Sequence, residues 1–361
     1  MKVEQLTFTR FLAAISIVVF HYGGKSFVFN NEYVDFLFKQ ADIGVSYFFI
    51  LSGFVMILAY GDKPIINTLN YFKNRFARIY PVYFLGILLV FFWQILTKNI
   101  DFAGFVLNVF MIQAWFPSKV LSFNSPGWSL SVELLFYIIF PFFFNSFYKK
   151  INLKNGLLLV VLFWIVSQLV FNLFLLLDKS HEIFSKEFLI YNPLMHVNEF
   201  LIGNVAGIYF LKELKDRKQN FDFSIVAIIM VVVLILKFPV GLNFHNGLLA
   251  IFFIPLLILI SLNNGILTTI FKNRFCIFLG EISFGIYILQ HSVFSLISAY
   301  SVNKYFNIDN VTTVFFIRLF ILIGLSAMTY VYIEKPIQIK VKNIKFPKKK
   351  GKSLSLNIEL E

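Results

Sequence analysis

Residues 156–177 read GLLLVVLFWIVSQLVFNLFLLL, a run without one charged side chain. At 1.5 Å per residue a helix of this length extends about 33 Å, enough to cross a hydrocarbon slab of about 30 Å. The run is too long for a buried core helix of a soluble domain. Lipid offers no partner to an unpaired backbone amide, so the segment must be helical.

Nine further segments share this character, at roughly 6–23, 42–60, 80–97, 129–147, 192–211, 222–240, 243–262, 277–300 and 311–333. The expected fold is therefore all-α, a polytopic transmembrane helical bundle of about ten spans. Composition agrees. The chain is 58% hydrophobic and 14% charged with 49 Phe, and its mean hydropathy is +0.78. A soluble fold of this size could not hide that apolar load in one core.

The net charge of +13 does not indicate nucleic-acid binding. Lys and Arg lie in short loops and in the stretch from Lys335 to Lys352, where they set topology and meet anionic lipid headgroups. Placing both termini in the cytoplasm puts most of the basic residues inside, among them Lys149, Lys150 and Lys154 and the group Lys212–Lys218. A further span at 101–116 would invert those loops, so that apolar stretch is expected to be re-entrant or interfacial. Cys276 is the single cysteine, which excludes an internal disulfide, and no Cys/His spacing suggests a metal site. The first apolar segment has no small-residue cleavage site and does not read as a removable signal. Residues 1–340 are expected to form one transmembrane domain and 341–361 a basic cytoplasmic tail.

Polar groups inside apolar spans are costly and are functional candidates by default. Arg10 opens the first span at the inner face, and His21, eleven residues on, lies about 16 Å higher, in the outer half. Asp42 begins the second span from outside. Arg75 and Arg78 precede the third span, in the inner loop. Trp128 and Glu133 open the fourth span from outside. Ser283, Tyr287 and His291 recur every four residues in the ninth, within about 80° of arc. Guanidinium groups suit phosphates, and a neutral imidazole beside a carboxylate suits removal of a proton from an alcohol. The pattern thus points to a phosphate-bearing donor from inside and a hydroxyl acceptor from outside.

Simpler readings compete at each position. Inner-loop arginines commonly anchor topology, a polar stripe can glue helices together, Asp42 can cap its helix, and Trp128 can anchor at the interface. Ser52-Gly53 suits close helix packing. His181 and His245 carry no argument.

The same residues carry a resemblance. Arg10…His21, Gly44-Val45…Phe48-Phe49…Leu51-Ser52-Gly53-Phe54, Arg75-x-x-Arg78, Trp128-Ser129-Leu130…Glu133 and Ser283…Tyr287…His291 follow the order found in the acyltransferase-3 family. That resemblance extends to Glu334-Lys335-Pro336. It implies a membrane O-acyltransferase that uses cytoplasmic acyl-CoA, acetyl-CoA being the expected donor substrate, and no permanently bound cofactor. The implied acceptor is an extracytoplasmic glycan or lipid-linked sugar, such as lipopolysaccharide O-antigen or exopolysaccharide. The implied location is a bacterial cytoplasmic (inner) membrane.

In these terms His21 is expected to be catalytic with Glu133 orienting it. Arg10, Arg75 and Arg78 are expected to hold the donor, and Asp42, Trp128, Ser283, Tyr287 and His291 to meet the substrate. Two positions depart from the family pattern: Ser46 stands where an acidic residue is frequent, and His196 where an arginine is frequent. Two other functions fit the composition. A transporter of a lipid-linked sugar or acyl carrier would favour symmetry-related halves, and no such repeat is visible. A non-catalytic partner of a polysaccharide machine would not need His21.

Overall fold

The computed structural model describes residues 3–148, 150, 152–177, 184–239, 241 and 243–344. The principal helices are α1 (Gln5–Val18), α2 (Ile43–Tyr60), α3 (Thr68–Leu96), α4 (Trp128–Phe143) and α5 (Leu153–Leu177). They continue with α6 (Val197–Tyr209), α7 (Asp222–Lys237), α8 (Ala250–Leu262), α9 (Arg274–Leu296) and α10 (Val311–Thr329). Among the described residues, 8 helices are long and apolar enough to cross a membrane. The two others among the ten expected spans, α7 and α8, are shorter, with 16 and 13 residues. The protein is an all-α polytopic membrane bundle.

Of three local readings, the first and the last change. The expected third span begins well before Pro81: α3 runs 29 residues from Thr68, straight through the proline. Proline removes one intrahelical hydrogen bond and need not end a helix whose neighbours hold it. Arg75 and Arg78 therefore stand on a helix of about 44 Å rather than in a loop. The stretch 101–116 does not cross. It contains the eight-residue helix Phe102–Val109, which a turn with Met111 at φ 56° ends. Finally, the expected span 243–262 is helical only from Ala250, and residues 243–249 form a loop. The boundary expected at 340 falls within a helix, Lys335–Asn343. The remainder of the expected tail, 345–361, lies outside the described residues, as does His181.

The helices that frame the centre approach closely because glycines let them. A Cβ on Gly53 of α2 would lie 2.2 Å from the Phe200 carbonyl oxygen of α6, and one on Gly203 2.2 Å from that of Ile50. Gly280 of α9 meets the Thr7 backbone of α1 in the same way, at 2.0 Å. Helix α9 is further tied to α3 by Ser292 Oγ, which donates to the Gly86 carbonyl at 3.0 Å. The outer layer is different. On α5 only Gly156, Gln168 and Phe171 are buried, and most of its leucine and valine side chains are exposed. Without water in the hydrocarbon region, the exposed apolar surface is what a bilayer requires.

Candidate functional site

A cavity of about 370 Å³ lies between α1, α2, α3, α4 and α9. Arg10, Arg75, Arg78, Glu133, Tyr137, Ser129, Ser283 and Tyr287 supply its polar lining. Phe48, Phe49, Val55 and Met56 supply much of the apolar part. Each arginine arrives on a helix: Arg10 on α1, and Arg75 and Arg78 three residues apart on α3, hence on one face.

The guanidinium of Arg75 is caged by the rings of Tyr60, Tyr71 and Tyr137, each 5.6 Å from it. Planar cations suit such aromatic faces. Its Nη2 donates to Tyr60 Oη at 3.5 Å, while Nε is buried without a hydrogen-bond partner among the described residues. Arg10 is within electrostatic reach of Arg78, Glu133 and Glu334. Even so, among the described residues none of the three guanidiniums forms an ion pair with a carboxylate. Several uncompensated cations in a shared cavity favour a polyanionic occupant.

The expected partnership of Glu133 with His21 is not the one observed. Glu133 lines the arginine cavity and accepts a hydrogen bond from Tyr137 Oη at 2.5 Å. The expectation set it in the outer half beside His21; the structure sets it in the cavity that Arg10 also lines.

His21 sits on a π turn, Val19–Gly23, that prolongs α1. Single π turns open the helical ladder and are frequent at functional sites. The partner of His21 is Gln290 of α9, whose Oε1 is 2.9 Å from His21 Nδ1. Gln290 Nε2 donates to the Tyr287 carbonyl at 2.7 Å. That carbonyl can only accept, so the amide orientation is fixed and its oxygen faces the imidazole. An amide oxygen also can only accept, so Nδ1 carries the proton and Nε2 is left with its lone pair. Sequence reasoning passed over Gln290. Its signal was available: it is a fully buried polar residue one turn above Tyr287 on a membrane helix.

The stripe on α9 divides. Ser283 and Tyr287 line the cavity, and Tyr287 Oη lies 2.9 Å from Ser129 Oγ and 3.1 Å from the Pro126 carbonyl. His291 turns instead toward α1, where its Nδ1 is 3.4 Å from Tyr22 Oη. Tyr287 thus walls the arginine cavity with its ring and positions Gln290, and through it His21, with its backbone. Asp42 caps α2, accepting from the Ile43 amide at 3.1 Å, and remains 39% exposed. Trp128 is buried against Phe49, Tyr191, His196 and His245 and is no interface anchor.

The two departures from the family pattern prove to be joined. Glu199, fully buried on α6, accepts from Ser46 Oγ of α2 and lies 2.6 Å from His196 Nδ1. His196 Nε2 donates to the Ile190 carbonyl at 2.8 Å. One buried carboxylate therefore serves both substituted positions.

A model of the acyltransferase domain matches residues 3–332. The acyltransferase MdmB of Streptomyces mycarofaciens is 30% identical over 155 residues, 40% of this chain and 40% of that protein. A putative O-acetyltransferase of Staphylococcus aureus (strain COL) is 21% identical over 357 residues, 91% of this chain and 56% of that protein. The O-acetyltransferase OatA of Staphylococcus aureus (strain NCTC 8325) is 24% identical over 388 residues, 95% of this chain and 58% of that protein. The chain spans about half the length of the curated relatives it matches. No solved structure matches it. With the domain model matching nearly every residue from the N-terminal helix to the last span, this chain belongs to the acyltransferase-3 family.

Proposed function

We propose that the chain is a membrane O-acyltransferase that moves an acetyl group from cytoplasmic acetyl-CoA to a hydroxyl of an extracytoplasmic glycan or lipid-linked sugar. The observation that carries this reading is the cavity in which Arg10, Arg75 and Arg78 stand without an ion-paired carboxylate among the described residues. It fits the phosphates of a nucleotide-bearing thioester, because guanidiniums bind phosphate oxygens bidentately and keep their charge. O-Acetyltransferases among the relatives agree with the reaction type. A bacterial inner membrane is the setting this reading requires.

In the reaction, His21 Nε2 takes the proton of the acceptor hydroxyl as its oxygen attacks the thioester carbonyl. The C–S bond then breaks, and the CoA sulfur leaves as thiolate and takes up the proton from the imidazolium. Gln290 keeps Nδ1 protonated and stabilises the imidazolium that forms. A relay through an acyl-imidazole would use the same nitrogen. Glu133 serves the donor end, where its charge acts on Arg10 and it accepts a bond from Tyr137. Ser283 and Tyr287 line the donor cavity on the side of α9.

Isothermal titration of the purified protein with acetyl-CoA and with dephospho-CoA tests the donor site. Binding of acetyl-CoA that Arg75→Ala/Arg78→Ala removes supports the assignment. Wild-type protein that binds neither acetyl-CoA nor a longer acyl-CoA rejects it in favour of a transporter.

A further inference from the structure

The loop 243–249 is an unusual object at the outer end of a membrane bundle. Polar side chains of neighbouring helices hold it by its backbone. Trp164 Nε1 donates to the Gly247 carbonyl at 2.9 Å, and Gln168 Nε2 to that of Asn246 at 2.6 Å. Asn172 Oδ1 accepts from the Asn243 amide at 3.2 Å. These three anchors recur every four residues on α5, a helix most of whose apolar side chains are exposed. From α6, Asn198 Nδ2 donates to Asn246 Oδ1 at 2.7 Å. Gly247, at φ +82°, lets the loop press against Glu199.

What this scaffold presents is His245, 5% exposed, with neither ring nitrogen hydrogen-bonded among the described residues. Its Nδ1 is 3.4 Å from Asp42 Oδ2, an ion-pair distance without hydrogen-bond geometry. Asp42 also exerts its charge on His21 and on Tyr191. The loop and α2 thus meet at one half-exposed carboxylate whose charge reaches the imidazole proposed as the base, and the Tyr191 ring lies 6.0 Å from that of His245. A buried imidazole without a partner is costly, and so is the immobilisation of an irregular loop within a bundle. Carboxylates beside aromatic rings suit a polyhydroxyl ligand, whose hydroxyls donate to the carboxylate while its apolar face lies on a ring.

We infer that His245 is a positioning residue that holds Asp42 at the outer mouth, and that His21, Asp42, Tyr191 and His245 form the subsite for a sugar acceptor. This rests on the acyltransferase reading for its role, but the binding it requires can be measured without turnover.

The test uses the full chain in a detergent with no sugar headgroup and a panel of methyl glycosides of glucose, galactose, rhamnose and N-acetylglucosamine. Saturation-transfer NMR reads binding, and acetyl transfer from acetyl-CoA gives KM and kcat for any glycoside that binds. His245→Phe keeps a ring among Trp128, His196 and Tyr191 but has no polar atom. His245→Asn gives up the ring but keeps an N–H near the Nδ1 position. The expected result is binding to wild-type protein, about tenfold weaker in His245→Phe and closer to wild type in His245→Asn, with KM following binding more than kcat. The reverse order, Phe near wild type and Asn impaired, makes His245 a packing residue and overturns the proposal. So does failure of every glycoside to bind wild-type protein. Binding in the expected order without acetyl transfer would leave the subsite standing and remove the enzyme. Transfer with an unchanged acceptor KM in His245→Phe would do the opposite.

Discussion

His21 Nδ1 lies 2.9 Å from Gln290 Oε1, and the other end of that amide is tied to the Tyr287 carbonyl, so one glutamine fixes both the ring and its tautomer. A neutral amide in this role orients the imidazole without adding charge to a span. Gln290→Leu should lower kcat by about tenfold, the worth of one well-placed hydrogen bond, with donor binding little changed. Gln290→Glu places a carboxylate against Nδ1 and should move the acid limb of the kcat–pH profile upward, since a nearby anion favours the imidazolium. Steady-state rates over pH 5–8 check both outcomes.

At the donor end the shape of the cation matters as much as its charge. Arg75 sits among three tyrosine rings. Arg75→Lys keeps the charge but loses the plane and the fork. It should raise the acetyl-CoA KM by about tenfold and fail to restore what Arg75→Ala loses. Donor titration of the two variants side by side settles the comparison.

Glu133 separates two accounts of the centre. If it charged His21, Glu133→Gln would shift the acid limb of kcat downward. With Glu133 bonded to Tyr137 inside the arginine cavity, the limb should stay in place. Removing a carboxylate from a polyanion site should instead tighten acetyl-CoA binding by up to about tenfold. The kcat–pH profile and the donor Kd report the two effects independently.

The helix crossing predicts a stability effect. Gly53→Ala or Gly203→Ala forces a methyl against a carbonyl oxygen 2.2 Å away and should destabilise the protein by about 1–3 kcal/mol or more. Gly24→Ala, with nothing within 4 Å of the added carbon, should be neutral. Melting curves in detergent distinguish them.

The buried network offers a coupled exchange. His196→Arg alone should destabilise, because a longer side chain enters a fully buried site shaped to an imidazole. Combined with Ser46→Asp, which offers the guanidinium a second acceptor, part of that loss should return, with a coupling of about 1 kcal/mol. Melting of the two singles and the double completes the cycle.

The spans were legible because lipid imposes one rule on every backbone amide, and runs such as 156–177 satisfy it only as helices. The arginines, His21 and the stripe on α9 were legible for the same reason, as polar groups where polarity is costly. What the sequence hid was azimuth and continuity. Glu133 was expected beside His21 yet lines the cavity with the arginines. The third span was expected from about residue 80, although α3 already begins at Thr68 and carries Arg75 and Arg78. The loop around His245 adjoins a long apolar run, so its few polar residues gave no sign of the anchors waiting on α5 and α6. Gln290 lies off the four-residue stripe of Ser283, Tyr287 and His291, so that spacing did not point to it.

The central claim is that His21 carries acyl transfer from the donor cavity to an outer hydroxyl. The most direct measurement incubates purified protein with radiolabelled acetyl-CoA and a surface-glycan extract, comparing wild type with His21→Ala. The account predicts label on the glycan with wild-type protein, a loss of about a hundredfold or more in His21→Ala, and acetyl-CoA binding preserved in that variant. Label transfer by His21→Ala at the wild-type rate would contradict it.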